Sequence, residues 1–79
     1  LRGGVKVADR YAINRAIFDF MKKNDKKTGA VADRAGIRRD VFSRILHCRR
    51  PIYADELIPI VNAAGISLEE VIEAARTSA

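Results

Sequence analysis

Apolar positions along the chain fall into five runs with helical spacing, and none alternates as a strand would. The first run covers about Asp9–Asn24. Ile13, Ala16, Ile17, Phe20 and Met21 stand at i, i+3, i+4, i+7 and i+8 and make one stripe. Asp9 is placed to cap its start, and Lys22 and Lys23 suit the negative end of its dipole. A second, short run extends from Thr28 or Gly29 to Ala35. Thr28 is its expected N-cap, and Val31, Ala32 and Ala35 form its inner face. Gly36 stops it, because a left-handed residue costs glycine little. The third run, about Arg39–His47, has two unlike faces. Val41, Phe42, Ile45 and Leu46 make the apolar one; Asp40, Ser43, Arg44 and His47 make the polar one, with Arg39 beside them. Pro51 then opposes continuation.

The fourth run spans about Ala54–Ala64, with Leu57, Ile60, Val61 and Ala64 as its stripe and Gly65 as its stop. Pro59 fits if this helix begins near Asp55; a start at Ala54 predicts a kink. The fifth opens on Ser67-Leu68-Glu69-Glu70, a capping box in which Ser67 caps and Glu70 reaches back. Its stripe is Leu68, Val71, Ile72 and Ala75. The pattern predicts an all-α fold, a compact five-helix bundle. The chain opens on Leu1 instead of Met, which suggests processing or truncation. Residues 1–8 are expected to be a flexible segment, 9–76 the folded domain and 77–79 a frayed end.

Charge adds a direction to this picture. Residues 1–50 hold 14 of the 15 Lys and Arg but only 5 of the 10 Asp and Glu, a surplus of nine positive charges. Residues 51–79 are net acidic. A basic half backed by an acidic one suits a surface that faces a polyanion. The one cysteine, Cys48, rules out an internal disulfide and fits a cytoplasmic setting. No apolar run reaches the roughly 18 residues of a membrane span. Two Tyr and three Phe are too few to suggest a platform for stacking single-stranded bases. His47 has no second ligand at metal spacing except adjacent Cys48, and no nucleophile–base pair or phosphate-cradling loop is present. No enzyme, metal, cofactor or small-molecule site is therefore expected.

The stretch from Thr28 to Ile45 carries the functional expectation. Two helices joined by a three- or four-residue turn must pack closely and cross steeply. The first needs a small residue at the crossing, supplied by Ala32. The turn needs a residue that tolerates positive φ, Gly36, and an apolar plug, Ile37. The second helix needs apolar anchors three apart, Phe42 and Ile45. In this register, Val31-Ala32-Asp33-Arg34-Ala35-Gly36-Ile37 with Val41-Phe42-Ser43-Arg44-Ile45 resembles the helix-turn-helix of the phage-repressor, Cro and Xre-like regulators. Cys48-Arg49-Arg50-Pro51-Ile52 with Ala54-Asp55-Glu56-Leu57 resembles that family's basic loop into its fourth helix. Ala63 to Val71 resembles its junction into the fifth. The likeness covers about Ile13 to Ala75. It departs at Thr28, Arg38, Cys48 and Tyr53, where the family often has Gln, Ser or Thr, Gly and Ser.

The resemblance implies a lambda-repressor-like bundle with a central helix-turn-helix. It implies sequence-specific binding of double-stranded DNA, in the manner of a phage or prokaryotic transcriptional regulator associated with the nucleoid. It also implies a homodimer whose two reading helices lie about 34–36 Å apart; the fifth helix is the candidate interface. The outer face of the third helix would then read bases through Arg39, Asp40, Ser43 and Arg44. Forked Arg donors suit guanine O6 and N7, and Asp40 suits a cytosine amino group or a neighbouring Arg. Lys27, Thr28, Gly29, Arg38, Arg49 and Arg50 would hold phosphates, with Ser43 as able to touch phosphate as base. Two alternatives stand beside this. One is an antitoxin-type component with the same fold. The other is a helical protein-interaction module using Phe18, Tyr53 and the Ala-rich last helix. Taken without the motif, Arg39, Asp40 and Arg44 read as an ordinary solvated helix face.

Overall fold

The structure is a computed structural model in which residues 11–77 are described. Its element order is α1 (Ala12–Lys23), α2 (Thr28–Ala35), α3 (Arg39–Leu46), α4 (Ala54–Ala64) and α5 (Leu68–Thr77), with no strand among the described residues. The all-α five-helix expectation is met. Asp9, the segment 1–8 and the end 78–79 lie outside the described residues.

Four helices end alike. After each, one residue turns left-handed: Asp25, Gly36, Cys48 and Gly65, with φ of 55°, 73°, 59° and 76°. In each case two backbone N–H groups fold back onto carbonyls of the last turn. For α2, Gly36 donates to Asp33 (3.2 Å) and Ile37 to Ala32 (3.0 Å). For α3, Cys48 donates to Ile45 (3.2 Å) and Arg49 to Arg44 (2.8 Å). This is the Schellman arrangement, which satisfies carbonyls that a helix end leaves bare. Gly36 and Gly65 adopt it without penalty. Asp25 and Cys48 adopt it against their Cβ atoms, at roughly 1–2 kcal/mol each.

Helix starts differ more from expectation. Thr28 is the first residue of α2 and not its cap; Lys27 holds the extended cap conformation, without a side-chain bond. The Ser67 and Glu70 box forms as expected, Glu70 N–H to Ser67 Oγ at 3.0 Å and Ser67 N–H to Glu70 Oε1 at 3.2 Å. At α4, Glu56 reaches back to the Tyr53 N–H (3.0 Å), while the Tyr53 backbone carbonyl accepts from Glu56 (2.9 Å). α4 begins at Ala54 and continues through Pro59 as one helix. The carbonyl that Pro59 leaves without a partner belongs to Asp55, which is exposed to water.

Each stripe meets a neighbour. α2 packs on α4 and α3, and α1 packs on α5 and α3. Ile17, Ala32, Phe42, Ile45, Ile60 and Ala64 have no exposed surface and form the centre. Ile37 plugs the turn from a half-buried position. Ile72, expected on the inner face of α5, is instead 42% exposed, because Val71 and Ala75 take that face. One polar residue is buried among the described ones. Asn14 of α1 donates through Nδ2 to the carbonyls of Ile45 (2.9 Å) and Arg50 (3.0 Å). It ties α1 to the last turn of α3 and to the loop beyond. Among the described residues no helix is long and apolar enough to cross a membrane.

Candidate nucleic-acid interface

α2 and α3 are joined by the three residues Gly36, Ile37 and Arg38. Phe42 and Ile45 press α3 against the core with no exposed surface, so its polar side must face out. Arg39 keeps 68% and Arg44 59% of the side chain exposed. Asp40, Ser43, Arg44 and His47 line one open hollow on that side, together with Arg49 from the loop after α3. Asp40 stands between two arginines: Arg38 Nε is 3.2 Å from Oδ1, and Arg44 Nη2 is 3.9 Å from Oδ2. His47 Nδ1 donates to the Ser43 carbonyl at 2.8 Å. Its ring lies 5.9 Å from that of Phe18, a half-buried residue of α1.

Arg39 points back across the turn to α2. Its Nε donates to Asp33 Oδ1 (3.2 Å) and its Nη2 to Asp33 Oδ2 (2.7 Å). These bonds hold the Asp33 carboxyl below the usual range and raise Arg39 further above its own. The guanidinium also lies over Gly29, in the first turn of α2. A Cβ there would meet Cζ at 3.0 Å, Nη1 at 3.1 Å and Nε at 3.2 Å. Gly29 and Asp33 are four apart on one helix face, so together they cradle the end of Arg39.

The candidate phosphate residues separate into two groups. Lys27, Thr28, Arg38 and Arg49 are exposed, and Gly29 is partly covered by Arg39. Arg50 departs from its expected role. Its Nη1 and Nη2 donate to Glu56 Oε1 (2.8 Å) and Oε2 (2.7 Å), and Nη1 also donates to the Pro51 carbonyl (3.1 Å). Its Cζ sits 4.4 Å from the centre of the Tyr53 ring. The pair is largely buried. Both Arg50 and Glu56 are displaced from their ordinary pKa values, chiefly by their mutual hydrogen bonds, Arg50 upward and Glu56 downward. Arg50 thus clasps the loop to α4 and has few donors left for an outside anion.

Sequence reasoning passed over Asp33, Glu56 and Asn14. Glu56 had a signal, its place at the third position of α4, where a carboxylate can cap. Asp33 had only its distance of six from Arg39 across a turn. Asn14 had none. Among the described residues no three His, Cys, Asp or Glu side chains gather as metal ligands. No protein-family model matches the chain, and no curated protein or solved structure is significantly similar to it.

Proposed function

We propose that this domain binds double-stranded DNA with the outer side of α3 in the major groove, as a sequence-specific regulator of transcription. The observation that carries the reading is the two-sidedness of α3. Fully buried Phe42 and Ile45 hold its back, while Arg38, Arg39, Asp40, Arg44 and His47 stand exposed along its front. An α-helix of this kind fits the major groove, and Arg44 can donate two bonds to guanine. Lys27 and the exposed amide end of α2, with Arg38 and Arg49, flank that ridge and suit phosphates. A homodimer that sets two α3 helices one turn of DNA apart belongs to the same reading.

The test is a titration of duplex DNA at several salt concentrations. Affinity is expected to fall steeply with salt, as each neutralised phosphate releases counterions. Arg44→Ala is expected to weaken duplexes selected from a random pool more than unselected DNA. Arg49→Ala is expected to weaken both alike. Absence of binding, or affinity indifferent to salt, overturns the reading in favour of a protein-interaction module.

A further inference from the structure

The Asp33–Arg39 pair uses one particular edge of the guanidinium. Arg has five N–H donors in a planar fork. Asp33 takes the side edge, Nε and one proton of Nη2. The end edge, one proton of Nη1 and one of Nη2, remains undrawn upon by Asp33. That free edge still offers two adjacent N–H donors, which is what bidentate binding to guanine O6 and N7 needs. Gly29 adds an independent constraint. Its missing side chain lets the guanidinium plane settle against α2 within 3.0–3.2 Å of where a Cβ would be. An arginine bonded along one edge and resting one flat side on α2 is biased towards one pose before any ligand arrives, which favours binding in that orientation.

We infer that Asp33 and Gly29 are positioning residues that lock Arg39 into a guanine-reading pose. This inference rests on the DNA-binding reading above and adds the base that Arg39 selects. Asp33 also repels the phosphate backbone, so it trades general attraction for selectivity. Its removal should therefore move the two kinds of affinity in opposite directions, a signature that loss of a merely structural contact does not give.

The experiment selects bound duplexes from one randomised pool with the wild type, Arg39→Ala, Asp33→Asn and Gly29→Ala. Gly29→Ala also guards against misfolding, since alanine favours the helix over glycine. The wild type is expected to enrich a guanine that Arg39→Ala ceases to prefer. Asp33→Asn and Gly29→Ala should each weaken preference for that same guanine about tenfold, leaving other positions unchanged. Replacing that guanine by 7-deazaguanine should cost the wild type affinity and cost Arg39→Ala none. Asp33→Asn should bind unselected DNA more tightly than the wild type does. If Asp33→Asn and Gly29→Ala keep the full guanine preference, the positioning role is wrong while DNA reading stands. If the wild type enriches no sequence at all, both fall together.

Discussion

Two arginine–carboxylate pairs in this domain share spacing and bond length but differ in the arginine edge they use, side for Arg39 and end for Arg50, and in setting. Asp33–Arg39 and Arg50–Glu56 each join residues six apart, and each closes at 2.7 Å. Each makes two parallel bonds across a turn that leads into a helix. The first pair leaves 68% and 59% of its side chains to solvent, and the second only 22% and 19%. Distance alone therefore says little about what a pair does. In water the exposed pair is screened and adds little to stability, so an outside partner can engage Arg39 at small cost. The enclosed pair is desolvated, stacked on Tyr53 and bonded to the Pro51 carbonyl. Breaking it strands a carboxylate away from water.

The contrast is sharpest in stability. Arg50→Ala is expected to lower unfolding free energy by about 2–3 kcal/mol, measured by urea denaturation, because Glu56 loses charge-assisted bonds. A loss near zero would put the two pairs in one class. Acid should reveal the same difference at smaller scale. Arg50, and secondarily the Tyr53 N–H, hold the Glu56 carboxyl below the ordinary range against a desolvation that pushes it up. A depressed carboxyl contributes stability that is complete above its unfolded pKa, about 4.3, and is lost as pH falls through the lower folded value. Unfolding midpoints should therefore fall with acid in that window, and Glu56→Gln should flatten the fall. At the bottom of the scale, Asp33→Ala and Arg39→Ala should leave the urea midpoint unmoved. A clear shift in either would show that the exposed clasp also supports the fold.

The same two pairs show where a sequence can be read and where it cannot. Helix faces were legible because Phe42, Ile45, Ile60 and Val71 repeat at helical spacing and are buried. Stops at Gly36 and Gly65 were legible because glycine tolerates their backbone angle. Asp25 and Cys48 hold the same angle with no glycine to announce it, and strain of that kind leaves no mark in composition. Thr28 looked like a cap by residue type, yet the backbone turns one residue earlier at Lys27. Arg39 and Arg50 looked alike as basic residues near the turn region. Their separate fates depend on Asp33 and Glu56, which join them only after the turns have formed. Asn14 lies next to Ile13 on the edge of a stripe, and nothing local indicates that α3 ends against it.

The Asn14 amide has a mechanical consequence. A helix of two turns has little cooperativity of its own and would ordinarily unravel from its free end. Here the carbonyl of Ile45 and that of Arg50 are both gripped from α1, so the last turn of α3 cannot open unless that grip is released. Whatever surface α3 meets, it meets as a stiff edge, with its ordering entropy already spent in folding.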